Sequence, residues 1–223
     1  MSRIVEFPTR EGKRIKAALS EPEGRGAGVV LFHEWWGLND DMAGLADRFA
    51  AEGFVALAVD LYGGRSTKDA VEAMQLANDL STPDALEIAQ GAADFLDAHA
   101  RSTRKLGVTG FCLGGAMALA AACNVSGVGA VVPFYGLPRP EYADWSKAKA
   151  PILGHYAEED AHVTPERVKA AHAAATAAGA SFRLCFYPAG HAFMRASDPA
   201  AYHEESAKLA WTRTVEFLKK EIG

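Results

Sequence analysis

The stretch G-F-C-L-G-G, Gly110 to Gly115, decides how the rest of the chain is read. It follows the apolar run Lys105–Phe111 and precedes the small-residue run Ala116–Asn124. A strand, a tight glycine-rich turn and a helix in that order form a nucleophile elbow, which lifts one side chain out of an α/β sheet. That side chain here is Cys112. Small residues on either side let strand and helix approach closely and let the central residue take a strained backbone. A thiol placed there faces a helix N-terminus, whose dipole favours a thiolate. Free cysteines are also often simply buried, so the turn alone leaves a packed Cys112 open as the alternative.

Outward from the elbow, strands alternate with helices. Toward the N-terminus lie the apolar runs GAGVVLF and FVALAVDLY, separated by the helical pattern DDMAGLADRFAAEG. Gly53 is the helix-ending glycine. RIVEFPTREGKRIKAALS reads as two strands around a turn at Glu11-Gly12. AVEAMQLANDL and DALEIAQGAADFLDAHA are helical, divided at Ser81-Thr82-Pro83-Asp84. On the C-terminal side, GAVVPFYG, APILGHYAEED and FRLCFYPAG are strands, with the helix PERVKAAHAAATAAG between the last two. DPAAYHEESAKLAWTRTVEFLKKEIG reads as one long closing helix. The pattern predicts a mostly parallel central sheet with helices on both faces, in a single domain spanning residues 1–223.

Composition narrows the functional classes. The 223 residues are 49% hydrophobic and 23% charged, with a net charge of −5. Lys and Arg are scattered, which argues against a nucleic-acid partner. No stretch has the roughly 20 apolar residues of a membrane helix, and the first residues lack a signal-peptide run, so a cytoplasmic protein without a membrane partner is expected. The three cysteines, Cys112, Cys123 and Cys185, do not suggest a disulfide framework. Cys112 and Cys123 are expected on one helix, roughly 16 Å apart, too far to bridge.

In open α/β sheets the reactive groups gather at the carboxyl ends of strands. Cys112, Asp160 and His191 follow three of the predicted strands, each about one strand-helix unit apart. Nucleophile, acid and histidine in that chain order are the order of α/β-hydrolases. His191 would take the thiol proton or hold it as an ion pair, and Asp160 would fix the imidazole tautomer. Asp160 alone could be a helix cap near Pro165, and Glu158 or Glu159 could take its place. After GVVLF comes H-E-W-W-G-L-N, where such folds supply one oxyanion N–H, the other coming from the residue after the nucleophile. Trp35 and Leu113 are therefore the candidate oxyanion donors. Of the two adjacent tryptophans, one is expected to line a pocket and the other to pack. Glu34 could be a surface charge, a partner of Cys112 or an extra base. His33, Glu34, His155, Asp160, His162 and His191 could in principle cluster around a metal, but no HExxH or paired CxxC motif is present. No nucleotide, metal or organic cofactor is indicated. GLPRPEYADWSK, before Ala148, is the best candidate for a pocket-shaping loop.

Taken together, HEWWGLN, DLYGGR, GFCLGGAMA, FYG, EEDAHVTP and GHAFMR resemble the dienelactone hydrolases (carboxymethylenebutenolidases), in family order and over nearly the whole chain from Gly28. The resemblance implies an α/β-hydrolase fold with Cys112 as nucleophile, Asp160 as acid and His191 as base. It puts the family's thiol-linked glutamate on Glu34 and its carboxylate-binding arginine on Arg195, which would suit an anionic substrate. Trp36, Tyr62 and Tyr135 join Arg195 as candidate substrate-binding residues. Two positions depart from the enzymes that process chlorocatechol-derived dienelactone. Ala70 stands near their second substrate arginine, with Arg65 close but out of register, and His33 stands in place of an amide. The expected partner is a small-molecule ester or lactone, acted on by a monomer or small homo-oligomer. A general carboxylesterase or thioesterase with the same triad is the nearest alternative. A redox-sensing thiol protein is a more distant one.

Overall fold

The computed structural model describes residues 1–223. Eight strands form one sheet: β1 (Arg3–Pro8), β2 (Arg14–Ser20), β3 (Gly26–Phe32), β4 (Val55–Val59), β5 (Ser102–Phe111), β6 (Val128–Phe134), β7 (Ile152–Ala157) and β8 (Phe182–Tyr187). Their order across the sheet is β1-β2-β4-β3-β5-β6-β7-β8. Only β1–β2 and β2–β4 pair antiparallel; from β4 to β8 every pair is parallel. The alternation of strands and helices predicts this mostly parallel sheet, and its arrangement is the α/β-hydrolase fold that the resemblance implies.

Six helices cover the sheet: α1 (Asp40–Ala51), α2 (Ala70–Asp79), α3 (Thr82–Ala98), α4 (Leu113–Asn124), α5 (Pro165–Ala177) and α6 (Glu204–Ile222). Successive strand side chains point to opposite faces, so β3 sends Val30 and Phe32 into one core and Val29 and Leu31 into the other. The first core is closed by α3, α4 and α5, the second by α1 and α6. The central strands are buried on both sides, which explains their unbroken apolar runs. No helix is long and apolar enough to cross a membrane.

Three boundaries differ from the sequence expectation. Cys112 is not within α4 but at its N-cap, with φ 54 and ψ −113. The three cysteines are free. The closing helix begins at Glu204 rather than at Asp198, because Asp198 and the residues after it form turns: Ala201 and Tyr202 both donate to the Asp198 carbonyl, at 3.1 and 2.9 Å. His203 then caps α6 by accepting from Ser206 N–H. Finally, α3 begins at Thr82, with Ser81 as its N-cap and Pro83 in its first turn, where a missing N–H costs nothing.

Candidate active site

The elbow is built by backbone crowding. A Cβ on Gly110 would lie 2.1 Å from the Gly114 carbonyl oxygen, and one on Gly114 would lie 2.2 Å from that of Phe32. Only glycine fits where β5, β3 and α4 meet this closely. Cys112 N–H continues the β5–β6 ladder by donating to Phe134 O at 3.0 Å. The backbone then turns sharply, and the thiol projects at the N-terminus of α4.

His191 meets that thiol. Its Nε2 lies 3.1 Å from Cys112 Sγ, and its Nδ1 lies 2.6 Å from Asp160 Oδ2. The loops after β7 and β8 are held together by Glu158 N–H donating to Tyr187 O and Glu159 N–H donating to Ala189 O. Both glutamate side chains are exposed, whereas Asp160 is buried. Asp160 Oδ1 accepts from the N–H groups of His162 and Val163 at 2.8 and 2.9 Å. Thr164, not Asp160, caps α5. Burial acts to raise the Asp160 pKa, but the His191 hydrogen bond and the Val163 and His162 N–H groups outweigh it and hold it below the usual range. Burial likewise acts to lower the His191 pKa, yet its bonds to Asp160 and Cys112 prevail and raise it to about 10.

The loop after β3 carries Glu34 and the tryptophans. His33 anchors it: fully buried, its ring Nδ1 lies 2.5 Å from Glu34 O, and its Nε2 accepts from Leu61 N–H at 3.1 Å. Accepting at Nε2 requires a neutral ring, and burial lowers the His33 pKa to about 4. Glu34 is neither a surface charge nor bonded to the thiol. Its buried carboxylate accepts from Tyr135 Oη and from Arg195 Nη1, both at 3.1 Å. Burial raises the Glu34 pKa despite those partners. Arg195 also pairs with Asp198, and its guanidinium lies 5.4 Å from the centre of the Trp36 ring.

A cavity of about 550 Å³ opens over Cys112, lined by Trp35, Leu113, Tyr135, His191 and Arg195 among others. A smaller one of about 270 Å³ lies against it, and Glu34, Tyr135 and Arg195 line both. Each tryptophan faces a different cavity: Trp35 the larger, Trp36 the smaller, with ring centres 5.0 Å apart. Leu113 is the first residue of α4, where N–H groups have no helical acceptor, and Trp35 N–H has no acceptor within the chain.

Tyr62 lines neither cavity. It is buried with its ring edge-on to His33, 4.7 Å between centres. Of the GLPRPEYADWSK loop only Gly136 and Leu137 reach the larger cavity. Its Trp145 instead packs against Phe182. The six residues considered for a metal do not assemble. His155 is fully buried within β7, bonded to Tyr187 Oη and Thr214 Oγ1, and no group of three or more potential ligands forms. The sequence gives no signal for Ala77 of α2, His162 and Val163 as cavity walls, or for Asp198 as a second partner of Arg195. They come from α2, from the loop after β7 and from the loop after β8, whose approach is set only by the sheet.

Residues 15–222 match the model of the dienelactone hydrolase family. The chain belongs to the dienelactone hydrolase family. It is 34% identical over 231 residues to a protein of Aquifex pyrophilus called usf, with both chains covered completely. It is 31% identical over 232 residues to a carboxymethylenebutenolidase of Pseudomonas sp. strain P51, covering 98% of this chain and 96% of that one. Among solved structures, a dienelactone hydrolase-like promiscuous phosphotriesterase from metagenomic libraries superposes with a TM-score of 0.89 at 25% identity, covering 100% of this chain. As a member of the dienelactone hydrolase family, the protein is a carboxylic ester hydrolase.

Proposed function

We propose that this hydrolase cleaves an ester or lactone through Cys112, His191 and Asp160, by way of an acyl-thioester on Cys112. The observation that carries the reading is the unbroken chain Sγ–Nε2, 3.1 Å, and Nδ1–Oδ2, 2.6 Å, at the carboxyl ends of three strands. In this mechanism an imidazolium at His191 donates through both nitrogens, to Asp160 and to the sulfur, and the nucleophile is the Cys112 thiolate. The thiolate attacks the carbonyl carbon. The N–H groups of Leu113 and Trp35 receive the oxyanion, each well-placed donor being worth about 3 kcal/mol. The leaving oxygen departs with the proton of His191, and the acyl group stays on sulfur. Neutral His191 then takes a proton from water, whose oxygen attacks the thioester. Collapse releases the acid and restores the ion pair.

A thiolate is a better leaving group than an alkoxide, so an adduct with an unactivated ester tends to collapse backwards. Enol-lactones, activated esters and thioesters avoid this, and peptides should be poor substrates. Arg195 is the one arginine in the cavity wall, and Arg65 instead pairs with Glu72 on the surface. That favours a carboxylesterase or thioesterase with this machinery as the second reading.

The test is intact-mass spectrometry after mixing with p-nitrophenyl acetate, for the wild type beside Cys112→Ala, His191→Ala and Asp160→Ala. Turnover with an acyl adduct on Cys112 supports the reading. Hydrolysis by Cys112→Ala equal to wild type would falsify it.

A further inference from the structure

Six titratable side chains line the cavity over Cys112: Glu34, Cys112, Tyr135, His162, His191 and Arg195. Five of them are bonded to one another or to Asp160 and Asp198. His162 is the exception. It is exposed, and neither of its ring nitrogens has a partner in the chain. Only its backbone is tied: its N–H donates to Asp160 Oδ1 at 2.8 Å, and its carbonyl accepts from Arg167 Nη1 at 2.6 Å. The other oxygen of Asp160 holds His191 Nδ1. One carboxylate therefore places both histidines, and their rings meet edge to face with centres 5.5 Å apart.

The chemistry at Cys112 fixes which part of a substrate comes near His162. In the tetrahedral adduct the carbon bonded to Sγ carries the oxyanion, the acyl arm and the leaving oxygen. The oxyanion points to the N–H groups of Leu113 and Trp35. The leaving oxygen must reach His191 Nε2, which gives it a proton and lies 3.1 Å from Sγ. Whatever is attached to that oxygen therefore extends along the wall beside His191, which is made by Ala192, His162 and Val163. Ala192 and Val163 offer no side-chain hydrogen bond. A neutral imidazole offers a donor at one nitrogen and an acceptor at the other.

We propose that His162 reads the leaving group: it hydrogen-bonds an oxygen or nitrogen a few bonds beyond the ester oxygen. The favoured substrates then release an alcohol, enol or thiol that carries such a polar group, in preference to a bare hydrocarbon one. This deepens, and rests on, the reading of Cys112 as the acyl acceptor.

Two acetate esters of similar size provide the test, 3-acetamidophenyl acetate and 3-isobutylphenyl acetate. Both leave the same acetyl-enzyme, so their kcat/KM values differ only through acylation. Rates are taken after subtracting those of Cys112→Ala. The amide-over-hydrocarbon ratio of kcat/KM is then compared among wild type, His162→Leu and His162→Gln, which cancels the intrinsic reactivities of the two esters. His162→Leu should lower the ratio about fivefold, the worth of one neutral hydrogen bond. His162→Gln keeps a donor and an acceptor and should restore most of it. The exchanged side chain makes no bond within the chain, so the backbone bonds to Asp160 and Arg167 stay in place. A ratio that His162→Leu leaves unchanged, even with both esters slowed, overturns the inference while leaving the hydrolase reading intact, because His162 would then act only by placing His191. So does a ratio as low in His162→Gln as in His162→Leu, which would mean ring shape and not hydrogen bonding. If neither ester is cleaved faster than by Cys112→Ala, the hydrolase reading fails and this inference fails with it.

Discussion

Asp160 divides its two oxygens between roles: one fixes the loop through the N–H groups of His162 and Val163, the other holds His191 at 2.6 Å. Asp160→Asn keeps the shape but removes the charge that raises the His191 pKa, and the amide can present its NH₂ to the imidazole and favour the wrong tautomer. The expected loss in kcat is about 10³- to 10⁴-fold, read by steady-state kinetics, with circular dichroism to show an intact fold. The imidazolium partner of Cys112 weakens at the same time. Iodoacetamide alkylation of Cys112 near neutral pH should therefore slow in this variant, and an unchanged rate would mean that His191 does not depend on Asp160 for its charge. Both residues are legible in the sequence, because each follows a strand and stands in hydrolase order. The role of Glu34 is not. Nothing local distinguishes a carboxylate aimed at Cys112 from one held by Tyr135 and Arg195, since those partners are contributed by β6 and by the loop after β8.

At the scale of elements, the elbow depends on how closely α4 can approach the ends of β3 and β5. Gly114→Ala places a methyl 2.2 Å from Phe32 O, a backbone atom that cannot move without disturbing the loop carrying Glu34 and Trp35. The expected result is a loss of about 3 kcal/mol or more in urea unfolding, with esterase activity falling together with it. A stable, active Gly114→Ala protein would show that the strand and helix can separate at little cost. The glycines of the elbow are readable as a pattern, but their neighbours are not: that Gly114 faces Phe32 follows from β3 and β5 being adjacent in the sheet. The same holds for the closing helix. Helical periodicity runs back to Asp198, yet the carboxylate there serves Arg195 and the turn, and α6 starts at its His203 cap.

Across the whole molecule, two fully buried histidines link stability to pH. Burial lowers the His33 and His155 pKa values to about 4 and about 3, both below the value near 6.5 of an unfolded histidine. Below pH 6.5 the unfolded chain therefore binds protons that the folded chain refuses, and stability falls as pH falls from about 6.5 toward 4. His191, raised to about 10, contributes the opposite linkage, most of it above pH 6.5, so between pH 7 and pH 5 it offsets only a minor part of this loss. At pH 5 each buried histidine should cost about 2 kcal/mol relative to neutral pH. Chemical denaturation at pH 7 and pH 5 measures this, and His155→Gln should remove more than half of the difference, since the opposing His191 contribution stays; a flat profile for the wild type would refute it. By itself the sequence determined the alternation of strands and helices, the glycine elbow around Cys112 and the order of Cys112, Asp160 and His191, because hydrophobic periodicity and turn chemistry act over a few residues. Only the tertiary structure decided that Arg195 is shared by Glu34 and Asp198, that Tyr62 packs against His33 away from the cavity, and that Ala77 and Val163 form its wall. Those contacts join elements far apart in the chain, and the order and twist of the sheet, not local propensity, set which of them meet.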